Sequence, residues 1–201
     1  NDTTGTEGET NLPGDIYMEY LFPDSAGDNN AFARGGADSG ANWSQVEENP
    51  PNDGTDFNSS NTLNQVDDFN VGPTAIFRTL DIKYVVVNYR RAGAGASANA
   101  SLIARLKATS GGTVQEGLSS APPNANWQNQ LATIVSHHPP GTTGKWTPTE
   151  LNTMQIGYRL SAASTNASQV TAIWAIVVYK TSTRPYMTRF RPHPFKPGNA
   201  R

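Results

Sequence analysis

The sequence predicts an all-β fold: an antiparallel β-sandwich, jelly-roll-like, with one short helical turn and extended terminal arms. Several segments alternate apolar and polar side chains with the two-residue period of a half-buried strand, and Gly- or Pro-rich turn signals separate them. The segment 170–180 is instead apolar on both parities. We therefore predict one sandwich domain at 16–183, between an N-terminal arm (1–15) and a C-terminal arm (184–201).

The front of the predicted domain, 16–70, is acidic and rich in loops. Its first dense apolar stretch, 16–22, is predicted to be a strand that stops at a turn signal, Pro23-Asp24. Residues 25–61 are mainly Gly, Ala, Asp, Asn and Ser, and a structureless loop of that length is unusual in a compact domain. This stretch therefore either carries short strands or wraps over a surface to which its aromatic residues anchor it.

The rear of the chain supplies most of the predicted strands. The alternating segments 80–87 and 102–107 are predicted to form a β-hairpin, joined by the flexible Ala- and Gly-rich stretch 92–100. A short strand near Val114 and a longer one at 127–135 follow. These four segments supply strands of the predicted sandwich.

A helical turn and two more strands complete the domain. Thr147-Pro148-Thr149-Glu150 combines a Thr N-cap, a Pro at the first helical position and a Glu three residues after the cap, which predicts a helix start. The helix must be short, because 154–160 already alternates at strand period. The strand 170–180 is expected at a central position, since both of its faces are apolar.

Length and composition exclude several classes of protein. The chain has 201 residues, and its 36 Leu, Ile, Val and Phe residues, about 18% of the total, predict a modest core. The absence of Cys excludes disulfide frameworks and thiolate chemistry. The longest apolar run, 173–179, is far shorter than the roughly 18 residues of a membrane span, so we predict a soluble protein with no membrane partner.

Charge is divided along the chain. Residues 1–70 contain 14 acidic residues and a single base, Arg34, whereas residues 71–201 contain 3 acidic residues and 14 bases. The acidic front of one copy could dock on the basic back of another, or the charges could simply decorate solvated loops and strand edges. Nucleic acid is not a predicted partner, because the bases are scattered and the net charge is −2.

The C-terminal arm has the composition of a docking segment. It carries five bases, four prolines and no acid, which favours an extended, partly polyproline-like conformation. Its apolar residues are unusual for a disordered tail, so we expect the arm to bind a neighbouring subunit. The predicted partner-docking residues are Arg184, Tyr186, Phe190, Arg191 and Phe195, together with Trp43 in the front segment.

The residues do not point to catalysis. No nucleophile elbow, zinc-binding helix or phosphate-binding loop occurs, so we predict no enzyme activity and no catalytic residues. His137 and His138 are adjacent on an extended chain and point to opposite sides, so no metal site is predicted there. No cofactor is expected; the weaker alternative is calcium at Asp53 and Asp56, where ordinary Asx turns explain the sequence better.

The Trp residues allow a second kind of binding, in which the ligand is a glycan. Exposed Trp side chains can stack on sugar rings, and Trp127 and Trp146 are the candidates for glycan stacking, with Trp43 as a further possibility. Because Trp is more often buried or at an interface, glycan binding remains the alternative function.

Three segments together carry a resemblance to a known group of proteins. Trp43-Ser-Gln-Val-Glu-Glu-Asn-Pro-Pro-Asn-Asp-Gly-Thr-Asp-Phe57, followed by Asp67-Asp68-Phe69, resembles a stretch of virion structural proteins of tailed bacteriophages and related prophages. Gly144-Lys-Trp-Thr-Pro-Thr-Glu-Leu-Asn-Thr-Met-Gln-Ile-Gly157 is similar to a second stretch of the same proteins, ahead of a strand. The resemblance covers roughly residues 43 to 180.

The resemblance implies a structural component on the exterior of a phage capsid or tail, and it brings no catalytic residue. We therefore expect localisation in the virion and partners that are other virion proteins and copies of this chain. The alternative is a carbohydrate-binding module of a host-recognition appendage, with a host glycan as ligand.

Overall fold

The computed structural model describes residues 16–36, 40–74 and 81–180, which form two antiparallel β-sheets packed face to face. Eleven strands lie in these ranges. They are β1 (Ile16–Leu21), β2 (Pro23–Asn30), β3 (Ala33–Gly36), β4 (Asp56–Ser60), β5 (Val66–Val71), β6 (Asp81–Gly93), β7 (Ser101–Lys107), β8 (Val114–Glu116), β9 (Gln128–Ser136), β10 (Gln155–Ala162) and β11 (Ser168–Lys180). A 3-10 helix (Asn42–Gln45) and one α-helix, α1 (Pro148–Thr153), accompany them.

The strand order is that of a jelly roll. Sheet A has the order β3-β4-β11-β6-β9, with β1 also paired to β11, and sheet B has the order β2-β5-β10-β7-β8. Eight of these strands give a row β1-β11-β6-β9 facing a row β5-β10-β7-β8. Along those eight the chain changes sheet at every step except from β7 to β8, which is the double Greek key of a jelly roll. The predicted jelly-roll-like sandwich is confirmed.

The core lies between the two sheets. The fully buried Tyr158 ring of sheet B makes edge contacts with Phe32 and Phe69, with ring centroids 4.9 Å and 5.7 Å away. On the sheet A side, one cross-strand row of side chains points inward: Leu21, Ala175, Val87 and Ile134, each no more than 4% exposed. The alternation of each strand thus supplies one apolar face to a shared interior.

Two local predictions are confirmed. Strand β11 lies inside sheet A, with β6 on one side and β1 and β4 on the other. Helix α1 begins with a capping box: Glu150 N donates to Thr147 Oγ1 over 3.3 Å, and Thr147 N donates to Glu150 Oε2 over 2.8 Å. It ends at Thr153, just before β10, as the change of period requires.

Two predicted connections are wrong. The β-hairpin predicted for 80–87 and 102–107 does not form, because β6 belongs to sheet A and β7 to sheet B. The connecting stretch instead carries the chain across the sandwich. The turn predicted at Pro23-Asp24 is also absent, because β2 starts at Pro23 and pairs with β5. Proline is tolerated there because it opens an edge strand.

The front segment carries short strands, which is one of the two alternatives that the sequence left open for residues 25–61. The chain between β2 and β3 is fixed by Asp67, a buried carboxylate that accepts hydrogen bonds from Ala31 N (2.6 Å) and Phe32 N (2.9 Å). Asn42 Nδ2 donates to the same side chain over 2.9 Å. Burial raises the pKa of Asp67, although these hydrogen bonds act in the opposite direction. This carboxylate therefore positions the irregular part of the front segment against the core.

Both predicted arms, 1–15 and 184–201, lie outside the described residues, and so do the five docking residues predicted in the C-terminal arm. Among the residues that are described, no helix has the length and apolar character needed to cross a lipid bilayer.

Candidate assembly surface

The outer face of sheet B is closed by ion pairs. Lys107 Nζ lies 2.6 Å from Asp28 Oδ2 and 2.7 Å from Asp68 Oδ2, and the Lys107 side chain is only 4% exposed. Arg105 continues the network, bonding Asp68 on one side and Glu116 on the other, both over 3.1 Å. Strand β2 brings Asp28 against Lys107, although β7 lies two strands beyond β5, the pairing partner of β2. This face has little open surface left for a partner.

Hydrogen bonding keeps Asp28 ionised. Burial acts to raise its pKa, but the Gly111 amide, the Lys107 ammonium and the side chains of Ser110 and Gln155 all donate to the carboxylate. Their sum lowers the pKa of Asp28 well below its usual range. Asp28 is therefore ionised at neutral pH.

Part of the charge division along the sequence is neutralised within one molecule. Asp28, Asp53 and Asp68, all from the acidic front, pair with bases of the rear half. These charges are consequently engaged inside the subunit. The predicted docking of front on back between copies stays a prediction for the remaining charges.

The outer face of sheet A has the opposite character, because apolar side chains cover four adjacent strands. One row runs Tyr20, Ile176, Val86 and Val135 across β1, β11, β6 and β9. Met18 lies beside this row on β1, and Met18, Tyr20 and Val135 are 62%, 54% and 44% exposed. We call these five residues the apolar sheet face. An antiparallel sheet normally presents polar side chains on its solvent side, so a contiguous apolar face indicates a binding surface.

A groove of about 400 Å³ adjoins the apolar sheet face. Its aromatic side chains are Tyr20, Phe22 and Trp174, and Tyr20 also belongs to the apolar sheet face. The opposite wall is the loop 48–53, which contributes Glu48, Pro50 and Pro51. We call this site the aromatic groove.

An ion pair holds the loop wall against sheet A. Arg90, on β6, donates through Nε to Asp53 Oδ1 over 2.7 Å and through Nη2 to Asp53 Oδ2. It also donates to Asn129 Oδ1 on β9 over 3.1 Å. The hydrogen bonds that Arg90 donates to Asp53 raise the pKa of Arg90. A bidentate pair of this kind fixes orientation as well as distance, so the groove is preformed.

The Trp residues predicted from the sequence lie elsewhere. Trp146 is 2% exposed and donates from Nε1 to the Ser136 carbonyl oxygen over 3.1 Å, so the prediction that its ring stacks on a glycan is wrong for this conformation. Trp127 is half-buried, with its ring tilted against Phe57 at a centroid distance of 6.0 Å. Trp43 is partly buried and packs against the hydrophobic core of the sandwich. None of the three lines the aromatic groove.

The segment considered for calcium is engaged by protein groups. Both Asp53 oxygens accept from Arg90, and Asp56, which is 9% exposed, accepts from Asn52 Nδ2 over 3.3 Å. Within the described ranges no cluster of three or more His, Asp or Glu side chains is arranged to hold a metal ion. A cation at Asp53 would have to compete with the guanidinium of Arg90.

The segments that carry the phage resemblance build the sandwich. Trp146 and Leu151 are buried, and Glu150 closes the capping box. At Gly157 a Cβ would lie 2.1 Å from the Asp67 carbonyl oxygen and 2.7 Å from Asp68 Oδ1, so a residue without a side chain is needed there. Each of these residues of the 144–157 segment has a structural reason. The other long segment, 43–57, supplies the loop wall of the aromatic groove through Glu48, Pro50 and Pro51.

Sequence reasoning missed the residues that form the open surfaces, namely Trp174, Tyr20 and Arg90. The run 170–180 is apolar on both parities, which is typical of a strand buried on both sides, yet Trp174 and Ile176 are only half-buried. The signal that could have identified the exposed face of β1 is the alternation in 16–20, which places Met18 and Tyr20 on one side of the strand. That signal is weak, because Tyr17 and Leu21 are apolar on the other parity.

No family model, curated protein or solved structure matches the chain in sequence or fold comparisons.

Proposed function

We propose that this protein is a structural subunit of a tailed-phage virion, which attaches as an oligomer to the exterior of the capsid or tail. The observation that carries the proposal is the apolar sheet face: five apolar side chains in adjoining positions on four strands of sheet A. Burial of such a surface between copies supplies a hydrophobic driving force for assembly.

The chemistry of the rest of the molecule supports the same proposal. The motif residues around Trp146 and Gly157 serve packing, and the ion pairs around Lys107 join front and rear segments of one subunit. The basic, Pro-rich segment 184–201 adds a second means of contact between copies. A stable shell subunit needs a rigid sandwich and complementary surfaces, and these features provide both.

Sedimentation velocity of the full chain over a concentration series tests the proposal. We expect the wild-type protein to associate and the double variant Met18→Lys/Val135→Lys to remain monomeric, because two charges would be buried without partners. The matched control is Leu118→Lys, since Leu118 is 86% exposed and is not one of the five residues of the apolar sheet face. Association that is equal in all three proteins would refute assembly through the apolar sheet face.

A carbohydrate-binding module is the second candidate, and the aromatic groove favours it. Tyr20, Phe22 and Trp174 beside polar side chains are the kind of set that binds a sugar ring. A glycan array probed with the wild-type protein and Trp174→Ala tests this alternative. Binding that is lost in the variant would support it, and an array with no bound glycan would remove it.

A further inference from the structure

The loop wall of the aromatic groove carries an acidic group, Glu48, that pairs with no basic side chain of the described residues. Glu48 accepts hydrogen bonds from Asn52, from the amide N over 3.1 Å and from Nδ2 over 2.8 Å. Within the described ranges no Lys or Arg forms an ion pair with it. Since Asp53 is neutralised by Arg90, Glu48 leaves the groove with unbalanced negative charge beside three aromatic side chains.

The C-terminal arm has the complementary chemistry. The sequence Arg191-Pro192-His193-Pro194-Phe195-Lys196-Pro197 places Arg191, Pro194 and Pro197 at three-residue intervals. In a polyproline II helix, which has three residues per turn, these side chains would share one face. Aromatic-lined grooves bind such a face, and an acidic side chain at the groove selects the accompanying base.

Overall charge and reach agree with this match. The described residues contain twelve Asp and Glu against nine Lys and Arg, whereas 184–201 contains five bases and no acid. Strand β11 ends at Lys180, and its six-residue span from Trp174 covers ~20 Å at the rise of a β-strand. The ten residues between Lys180 and Arg191 can extend ~30 Å, so the 191–197 segment can reach well beyond the end of β11.

We infer that the aromatic groove binds the 191–197 segment of a second copy of this chain. The inference rests on the proposed assembly role, because it supplies the contact between neighbouring subunits. Pro194 and Pro197 pack on Tyr20, Phe22 and Trp174, while the Arg191 guanidinium pairs with the Glu48 carboxylate. The arm then runs beside the apolar sheet face, and the two surfaces act together.

The absence of Cys from the chain allows a direct test with full-length protein. One variant carries Asn49→Cys at the groove, and the other carries Gly198→Cys in the arm, activated as a thionitrobenzoate mixed disulfide so that only heterodimers form. Release of thionitrobenzoate and the heterodimer band measure the rate of cross-linking. The control replaces Asn49→Cys with Leu118→Cys. We expect cross-linking at the groove to be at least tenfold faster than at the control position.

Charge variants make the test specific. Glu48→Lys in the groove variant, or Arg191→Glu in the arm variant, should slow cross-linking at least threefold, and combining the two should restore most of the rate. Urea unfolding of each variant checks that the sandwich is intact. Failure of the combined variants to recover would show that this pair is not in contact and would overturn the assignment.

The remaining outcomes separate this inference from the proposed function. Cross-linking no faster than at Leu118, with normal association of the wild-type protein in sedimentation, would overturn the arm assignment and leave assembly intact. If cross-linking is no faster at the groove than at Leu118 and the wild-type protein also fails to associate in sedimentation, both proposals are refuted. An intrachain disulfide in a protein carrying both cysteines, without heterodimers, would overturn binding between copies. A glycan that occupies the groove and leaves cross-linking unchanged would also overturn it.

Discussion

Replacing Lys107 with methionine should destabilise the sandwich strongly, because this ammonium group lies between two carboxylates. Its Nζ is 2.6 Å from Asp28 and 2.7 Å from Asp68, and the Asp68 side chain is 1% exposed. Removing one member of a buried ion pair costs about 3–5 kcal/mol, since a charge is left without compensation. Asp68 keeps Arg105 and Asp28 keeps the Gly111 amide, so we expect the lower end, about 3 kcal/mol.

The assay is urea unfolding followed by Trp fluorescence. With a urea dependence of about 2 kcal/mol/M, a loss of about 3 kcal/mol lowers the midpoint by about 1.5 M. The matched control is Lys145→Met: Lys145 Nζ lies 2.9 Å from Asp81 Oδ1, but its side chain is 75% exposed. An exposed pair contributes at most about 1 kcal/mol. Equal midpoints for the two variants would refute the view that the Lys107 network joins β2 and β5 of the front segment to β7.

Three further predictions concern the helix, the core and the acid limit of stability. Glu150→Ala opens the capping box of α1 and should cost about 1 kcal/mol in urea unfolding, whereas an unchanged midpoint would contradict the cap. Leu151→Ala, at a side chain with 0% exposure, should cost about 2–5 kcal/mol through the cavity it leaves, and a loss below 1 kcal/mol would show that the site collapses. Because the pKa of Asp28 is lowered in the folded state, its contribution is complete above the unfolded pKa of about 4 and is lost as the pH falls. The difference in unfolding free energy between wild type and Asp28→Asn should therefore shrink as the pH falls from 5 to 2. A difference that stays constant over this range would refute the lowered pKa of Asp28 in the folded state.

Local signals predicted the parts of the fold that local physics determines. The capping box at Thr147 and Glu150 is read directly from four residues, and the alternation in 154–160 defines the inner and outer faces of β10. The doubly apolar 170–180 correctly gave a central strand. Such signals do not identify pairing partners, because a two-residue period distinguishes the faces of a strand and not its neighbours. The hairpin predicted for β6 and β7 is wrong for this reason, since the two strands lie in different sheets.

The binding surfaces depend on contacts between distant segments. The pattern of its strand predicts that Trp174 is a core residue. Among the described residues no further layer covers the outer face of sheet A, and Trp174 is half-buried. The aromatic groove needs the loop 48–53 to be held by Arg90, a residue 37 positions from Asp53 in the sequence. The charge division pointed to contacts between copies, but Asp28 and Asp68 are paired with Lys107 inside one molecule. Charge counts alone do not distinguish the two cases.

Hydroxyl-radical footprinting read by mass spectrometry tests most directly whether the apolar sheet face is buried by assembly. Met18 is 62% exposed in the subunit and Leu118 is 86% exposed at a position outside that face, so both side chains should react in dilute, dissociated protein. On assembly at high concentration we expect Met18 and Tyr20 to become protected at least fivefold while Leu118 keeps its reactivity. Equal reactivity of Met18 in the dissociated and assembled protein would contradict the proposed interface.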